Sequence, residues 1–336
     1  MIVTSENMTL TFRDAPLQVF GVPEYDRTGE LRRLPDEVIA ATAVSEKLGL
    51  RCPGARLGFR TDSESFTVHI TFKTLEIDKG MSIYASQSAS VFIGPHAESR
   101  FAGLVSPPDY ETFSFEKSFK KANAMEDVLI FFPRNELIED ISVTFAEGSE
   151  VLAPTPYRIA PPVVFYGSSI TEGGCCSNHH NAYSAILSRK LDMDFVNLGF
   201  SGAAKGEIAM AEYIAGLDMS LFVYDYDHNA PNCAHLRDTH YPFYKRFREL
   251  RPDVPILMLS RPASESVYKN DNRDVILNTL HKAREAGDMN IEFIDGNTFF
   301  GRDSELCFVD NVHPNDLGFY KMACTIEPVL RRMLKL

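Results

Sequence analysis

From Val163 onward the chain alternates short apolar runs with helical segments, and this alternation constrains the fold more than any other feature. The runs are apolar throughout, as strands buried on both faces of a parallel sheet are. Five strands are predicted, at Val163–Tyr166, Phe195–Leu198, Leu221–Tyr226, Pro255–Leu259 and Ile291–Ile294. Helices are predicted at Tyr183–Leu191, Tyr241–Leu250, Val275–Ala286 and from Pro314 to Met333. The pattern predicts a three-layer α/β domain with a five-stranded parallel sheet.

The first half of the chain has a different rhythm. From Phe66 to Lys73 every second residue is apolar, which predicts a strand with one face in a core and the other in water. Similar short strands are predicted at Met81–Ala85, Ser90–Ile93, Val128–Phe132 and Ile141–Phe145. Short strands without helices between them predict an all-β sandwich or jelly roll. The first 45 residues are interpreted as an arm with a few strand fragments.

Prolines separate the two halves, at Pro154, Pro156, Pro161 and Pro162. Proline has no N–H to donate to a sheet and stiffens the chain, so such a stretch is typical of a boundary. We therefore predict an N-terminal β domain at residues 1–155 and an α/β domain at residues 156–336.

The net charge limits the kinds of partner that the chain can bind, and the cysteines indicate the redox environment in which it works. The net charge of −12 disfavours nucleic acid and anionic membranes, because both carry phosphate groups that this field repels. The six cysteines form no CxxC pair, and we interpret them as reduced thiols in a cytoplasmic protein. No signal peptide and no run long enough to cross a bilayer is recognised. The oligomeric state is left open.

Four polar motifs follow strand ends or precede the last helix, where parallel α/β sheets carry their active sites. The first is Gly167-Ser168-Ser169, which places a serine where a helix N-terminus stabilises an anion. Alone, this motif is weak, because serines after glycine are commonly turn residues or helix caps. The second motif contains Gly202, whose N–H can approach a reacting carbonyl closely because glycine has no Cβ. Alone, an ordinary strand-to-helix turn explains this motif equally well.

The third and fourth motifs supply an amide and a base. Asn229 follows the third strand and offers a side-chain amide donor, unless it caps a turn. Asp310 and His313 precede the last helix, and their three-residue spacing lets the carboxylate reach one imidazole nitrogen. The other nitrogen can then accept a proton from a serine. Alone, this histidine is equally well a surface residue beside a helix cap.

Together and in this order, the four motifs resemble those of the SGNH/GDSL hydrolase superfamily, with its flavodoxin-like fold. The resemblance implies that Ser169 is the nucleophile and that Asp310 and His313 are its catalytic partners. It also implies an oxyanion hole formed by the N–H of Ser169, the N–H of Gly202 and the amide of Asn229. No cofactor and no metal ion is implied.

The sequence departs from the superfamily pattern in two places. Ser168 stands where an aspartate usually precedes the nucleophile, and Ala203 and Ala204 stand where an asparagine is often found. A weaker resemblance covers the segment Gly80 to Tyr84, which is similar to a Gly-x-Asp-Leu-Tyr signature of β-sandwich domains that precede some SGNH esterases. Ser82 replaces the aspartate of that signature.

The two-domain resemblance implies a serine esterase that removes short acyl groups, in particular O-acetyl groups from carbohydrates. The expected substrate is a small or oligosaccharide ester. An acyltransferase with the same site and a lipase or thioesterase are alternatives, and a carbohydrate-binding protein without activity is the least favoured reading. The histidines at 179, 180, 228, 235 and 240 have no metal-ligand spacing, so a metal centre is not expected.

Overall fold

The structure is a computed structural model that describes residues 7–78, 80–262 and 271–336. It has two antiparallel sheets in the first half of the chain and one parallel sheet in the second. This confirms the predicted fold class of an α/β unit preceded by an all-β region. Residues 1–6 of the predicted arm lie outside the described residues.

Ten short strands form the antiparallel sheets. They are β1 (Met8–Thr11), β2 (Gln18–Phe20), β3 (Arg56–Thr61), β4 (Ser65–Phe72), β5 (Ala89–Ile93), β6 (Arg100–Val105), β7 (Ser114–Lys120), β8 (Glu126–Phe131), β9 (Ile138–Phe145) and β10 (Val151–Leu152). One sheet has the order β1-β9-β4-β7, and the other has the order β10-β3-β8-β5-β6 with β2 beside β3. The alternation along β4 buries Phe66, Val68 and Ile70 in the core between the sheets.

The parallel sheet has five strands in the order β12-β11-β13-β14-β15. They are β11 (Ile159–Gly167), β12 (Met193–Gly199), β13 (Leu221–Asp225), β14 (Ile256–Leu259) and β15 (Ile291–Ile294). The first strand is longer than predicted, since it includes Pro161 and Pro162, and the register with β12 is irregular there. The chain passes from the antiparallel sheets to the parallel sheet between Leu152 and Ile159.

The helices of the described residues are short in the first half and longer in the second. They are α1 (Tyr25–Thr28), α2 (Asp36–Ala40), α3 (Glu46–Leu50), α4 (Ile83–Ser86), α5 (Ser169–Glu172), α6 (Tyr183–Leu191), α7 (Ile208–Gly216), α8 (Cys233–Leu250), α9 (Asp271–Glu285) and α10 (Asp316–Met333). Within the described part of the chain, none of them has both the length and the apolar composition needed to cross a bilayer.

The two faces of the parallel sheet pack against different helices. Along β11, Val164 and Tyr166 face a core that α7, α8 and α9 cover. Their neighbours Val163 and Phe165 face a core that α6 and α10 cover, together with residues of β5 and β8 from the first half of the chain. Because both faces are covered, the strands are apolar throughout, which is the pattern that predicted them.

Several other predicted elements differ from the structure. The strand at Met81–Ala85 is wrong, because Ser82 caps α4 by accepting the N–H of Ala85 at 3.3 Å and so starts a helix there. Helix α8 begins eight residues before Tyr241 and continues through Pro242. The last helix begins at Asp316 rather than Pro314, because the side chain of Asn315 caps it.

Buried arginines join the first half of the chain to strand β12. Arg33, between α1 and α2, donates to the carbonyl oxygens of Asn197 at 3.0 Å and Gly199 at 2.6 Å. Arg56 on β3 pairs with Asp194 at the opposite end of the same strand. Both guanidinium groups are fully buried, so the two halves of the chain share a polar interface as well as an apolar one.

Candidate active site

Strand β11 ends at Gly167, and Ser169 is the first residue of the helix that follows. Ser168 caps this helix, since its Oγ accepts the N–H of Ile170 at 3.1 Å. The N–H of Ser169 has no acceptor within the helix because it belongs to the first turn. The serine therefore stands at a helix N-terminus, where partial positive charge favours an anion.

Ser169 and His313 are joined by a hydrogen bond of 2.8 Å between Oγ and Nε2. The other imidazole nitrogen, Nδ1, lies 2.8 Å from Oδ2 of Asp310. Asp310 Oδ1 also accepts the backbone N–H of His313 at 2.7 Å, so the carboxylate orients both the ring and its backbone. This is the arrangement in which a histidine can take the proton of a serine while a carboxylate stabilises the imidazolium.

The turn that carries Asp310 and His313 is rigidly held. Asn311 has a φ of +65°, and the backbone N–H of Val309 donates to the carbonyl oxygen of His313 at 2.9 Å. Partial burial would raise the pKa of Asp310, but the hydrogen bonds from His313 and Val312 lower it below the ordinary value. The carboxylate is therefore anionic over the whole neutral range.

The residues that follow β12 present one unused N–H group. Within residues 199–204 the N–H groups of Gly199, Phe200, Ser201, Ala203 and Ala204 donate to acceptors of the protein. Among the described residues, no acceptor is found for the N–H of Gly202, which has a φ of +71° and borders the same cleft as Ser169. This is the group predicted as an oxyanion donor.

Asn229 reaches the same cleft from the turn after β13. Its Oδ1 accepts the N–H of Ala204 at 3.3 Å, and its backbone oxygen accepts Nζ of Lys205 at 2.6 Å. The first contact orients the side-chain amide and leaves Nδ2 as the donor for a ligand, while the second holds the backbone of the turn. The structure thus brings together all the residues that the sequence singled out, because β12, β11 and β13 are neighbours in the sheet.

The cleft above Ser169 has a volume of about 490 Å³ and is lined by both halves of the chain. The first half contributes Asp78, Met81 and Arg134. A second pocket of about 450 Å³ shares Met81 and Cys175 with it and extends along the junction. The sequence motifs did not indicate Arg134, whose only signal is a charged position three residues after the end of β8.

A buried carboxyl group, that of Asp225, binds helix α5, which begins with Ser169. Oδ2 of Asp225 accepts the hydroxyls of Thr171 and Tyr183, both at 2.9 Å. Burial, and secondarily the charge of Asp227, raises the pKa of Asp225 to about 8. Asp225 thus has a structural role, because it binds Thr171 and Tyr183 beneath the active site and does not line the cleft.

The raised pKa of Asp225 predicts how stability changes with pH. The native state keeps this proton up to about pH 8, whereas an unfolded aspartate loses it near pH 4. Between these values the native state binds more protons, so stability falls as the pH rises. We expect Asp225→Asn, whose amide oxygen can still accept both hydroxyls, to lose less stability between pH 5 and pH 8. A change of 1 kcal/mol in the free energy of unfolding corresponds to a shift of about 2–4 °C in Tm.

Thermal unfolding of wild type and Asp225→Asn across this pH range checks the expectation. Asp218→Asn, at an exposed aspartate, is the matched control and should follow the wild-type curve. Parallel curves for wild type and Asp225→Asn would show that the carboxyl group is already ionised in the native protein.

Comparison with known proteins agrees with this geometry. Residues 160–331 match the model of the GDSL-like lipase/acylhydrolase family, which is half of the chain. The chain belongs to this family. The resemblance inferred from the four sequence motifs is therefore confirmed, and the chain is an enzyme of the serine-hydrolase type that acts on ester bonds. No match was found among curated protein sequences.

Solved structures of similar fold cover nearly the whole chain of this GDSL-like acylhydrolase. A protein described as a GDSL-like lipase from Bacteroides ovatus is 24% identical, with a TM-score of 0.84 over 98% of each chain. A salicylyl-acyltransferase of a tetracycline biosynthetic pathway is 19% identical, with a TM-score of 0.78 over 98% of this chain and 97% of the other. A family two carbohydrate esterase from Cellvibrio japonicus is 13% identical, with a TM-score of 0.66 over 98% of each chain.

The two departures from the family motifs have simple physical accounts. Ser168 caps the nucleophile helix through its hydroxyl, which is what an aspartate at that position can also do. Ala203 and Ala204 are buried, and the N–H of Ala204 donates a hydrogen bond to Oδ1 of Asn229. The acylhydrolase therefore keeps a rigid loop beside Gly202 without a second asparagine.

Proposed function

We propose that this chain is a serine esterase that hydrolyses short-chain O-acyl esters, with O-acetyl groups on carbohydrates as the substrate class. The observation that carries the proposal is the hydrogen bond of 2.8 Å between Ser169 Oγ and His313 Nε2 inside an open cleft. His313 accepts the serine proton as Oγ attacks the ester carbonyl carbon. Asp310 stabilises the resulting imidazolium.

The tetrahedral intermediate places its negative oxygen among three donors. These are the N–H groups of Ser169 and Gly202 and the Nδ2 of Asn229, and each such donor typically contributes about 10²–10³ in rate. The intermediate collapses as His313 Nε2 protonates the leaving alcohol, which leaves an acyl group on Ser169. Water then gives a proton to His313 and its oxygen to the acyl carbon, and the acid leaves as Ser169 recovers its proton.

The lining of the cleft supports a polar alcohol rather than a long acyl chain. Asp78, Arg134 and His228 line it, whereas Met81 and Val312 are its main apolar members. Lipid chains need an extended apolar groove, and such a groove is not found in the described part of this cleft. The similarity of fold to carbohydrate esterases, among them an acetyl xylan esterase, adds support for an acetylated sugar.

An acyltransferase is the second candidate, because the salicylyl-acyltransferase shares the architecture over nearly the whole chain. Both reactions use the same acyl-enzyme. They differ in whether water or a second hydroxyl accepts the acyl group.

Ester preference tests the proposal. We expect kcat/KM for p-nitrophenyl esters to fall by about tenfold or more from acetyl to octanoyl, because the polar side chains of Asp78, Arg134 and His228 in the cleft wall would be desolvated by a long apolar chain. Release of acetate from acetylated oligosaccharides should then follow. Preference for the octanoyl ester would contradict the short-chain assignment, and transfer of acetyl to an added sugar in preference to water would favour the acyltransferase.

A further inference from the structure

The oxyanion loop, defined as residues 199–204, is attached to the nucleophile helix by one carboxylate. Glu172 is the last residue of α5, three positions after Ser169, and its side chain is fully buried. Its Oε2 accepts the backbone N–H of Ser201 at 2.8 Å and also the hydroxyl of Ser201. Since Ser201 directly precedes Gly202, this contact sets the position of the neighbouring N–H group.

The charge of Glu172 is balanced by arginines from the first half of the chain. Nη2 of Arg134 lies 3.6 Å from Oε1 of Glu172 and donates to Oγ of Ser201 at 3.3 Å. Burial would raise the pKa of Glu172, but Arg134, Arg33 and the Ser201 hydrogen bonds lower it below its ordinary value. A buried carboxylate without such partners would be costly, so the arginines keep the acceptor ionised.

Arg134 stands close to the reacting groups without a role in proton transfer. A Cβ on Gly174 would lie 3.6 Å from Nη2 of Arg134 and 3.5 Å from Cδ2 of His313. Nη2 of Arg134 and Cδ2 of His313 therefore lie no more than about 7 Å apart, on either side of Gly174. Its side chain is 3% exposed, so it is held in place within the wall of the cleft.

Arg33 holds the beginning of the same loop. Its guanidinium donates to the carbonyl oxygen of Gly199 and lies 4.3 Å from the centre of the Phe200 ring. The loop is thus fixed by Arg33 at its start and by Glu172 and Arg134 at Ser201. Within this loop, Gly202 is the residue whose N–H has no acceptor among the described residues.

We propose that Arg134 is a positioning residue for the oxyanion hole, acting through Glu172 and Ser201, so that the first half of the chain completes the active site. The proposal rests on the proposed esterase function. It assigns to the β-sheet region a part in transition-state stabilisation, in addition to its part in shaping the cleft. A displaced Gly202 N–H weakens binding of the oxyanion but not of the neutral ester, so the loss falls on kcat rather than on KM.

The test compares Arg134→Met with Arg56→Met, using p-nitrophenyl acetate. Arg56 is the matched control, because it is also a buried arginine that reaches β12 and pairs with a carboxylate, but at the other end of the strand. We expect Arg134→Met to lower kcat by about 10–100-fold with KM changed less than about threefold. Arg56→Met should lower Tm and leave kcat within about twofold.

Inhibition by phenylboronic acid gives a second readout, because its tetrahedral adduct on a serine places an oxygen where the oxyanion forms. Its Ki should rise in Arg134→Met by about the factor by which kcat falls. Arg134→Lys keeps the charge, so its kcat should lie between those of wild type and Arg134→Met. If Arg134→Met does not fold, Arg134→Lys carries the same test with a smaller expected loss, and Asp194→Asn serves as the control in place of an unfolded Arg56→Met.

Several results would overturn the proposal. An unchanged kcat in Arg134→Met, a raised KM with kcat intact, or an equal loss of kcat in Arg56→Met would each exclude a positioning role. Ser169→Ala is assayed in parallel to separate this failure from that of the esterase function. If Ser169→Ala is inactive while Arg134→Met is fully active, only the positioning role is lost. If Ser169→Ala keeps its activity, Ser169 is not the nucleophile, and if wild type releases no product either, the proposed esterase function is lost.

Discussion

Ser169→Ala lowers the hydrolysis of p-nitrophenyl acetate by about 10⁴-fold or more, while the protein remains folded. The variant loses the oxygen that lies 2.8 Å from Nε2 of His313. No other hydroxyl among the described residues is placed to replace it. Ser201, another serine that lines the cleft, donates its hydroxyl to Oε2 of Glu172 and accepts a hydrogen bond from Arg134.

The fold should tolerate this change because it removes one oxygen atom and leaves the helix cap on Ser168 intact. Circular dichroism and thermal unfolding establish that the variant is folded. Ser177→Ala is the matched control, since Ser177 is an exposed serine on the following loop whose hydroxyl contacts Asp316 and not His313. Activity of Ser169→Ala within tenfold of wild type would show that another group is the nucleophile.

The positions of the candidate site residues could be predicted because they depend on topology more than on detail. Parallel strands place their carboxyl ends at one edge of a sheet, so residues that follow adjacent strands meet there. Ser169, Gly202 and Asn229 follow β11, β12 and β13, which are neighbours. The Asp310–His313 pair is local in sequence, and its internal hydrogen bonds need no distant partner.

The contribution of the first half of the chain could not be predicted in the same way. Arg134 reaches Glu172 and Ser201 only because β8 delivers it to the junction, and no local pattern marks that contact. The segment Met81–Ala85 is apolar enough to suggest a strand. It forms one turn of helix instead, because the side chain of Ser82 caps the helix by accepting the N–H of Ala85. In both cases the deciding interaction is a specific polar contact rather than a periodic pattern.

Helix α8 illustrates the same limit for a longer element. Its predicted start at Tyr241 lies directly before Pro242, which has no N–H to donate inside a helix. The structure instead extends the helix to Cys233, where Asn232 caps it by accepting the N–H of His235 at 2.9 Å. Packing of Leu236 and Phe243 against the sheet outweighs the hydrogen bond that proline removes.

Gly199→Ala should damage stability and catalysis together, because the nucleophile helix crosses the end of β12 directly over this glycine. An ideal Cβ at position 199 would lie 2.1 Å from the backbone nitrogen of Glu172 and 2.5 Å from its Cα. These are backbone atoms, so no side-chain rotation can relieve the overlap. We expect the free energy of unfolding to fall by about 3 kcal/mol or more, at the upper end of overpacking effects.

The same overlap predicts a loss of activity in the protein that still folds. Gly199 packs against α5, which carries Ser169, and begins the loop that carries Gly202. A side chain at position 199 would push α5 and this loop apart and so separate the nucleophile from an oxyanion donor. A misplacement of about 1 Å costs on the order of 10² in rate. Tm from thermal unfolding and kcat for p-nitrophenyl acetate at a temperature well below that Tm measure the two effects separately.

Gly216→Ala is the matched control for this substitution. Gly216 ends α7, and a Cβ there would meet nothing within 4 Å. Alanine also favours a helix over glycine by about 1 kcal/mol, so the control should keep or slightly raise Tm and keep kcat. If Gly199→Ala behaves like Gly216→Ala, α5 and the oxyanion loop are not in contact at β12, and the shared support argued for Ser169 and Gly202 is wrong. If Tm falls while kcat per folded molecule is unchanged, the contact stabilises the fold but does not set the geometry of the site.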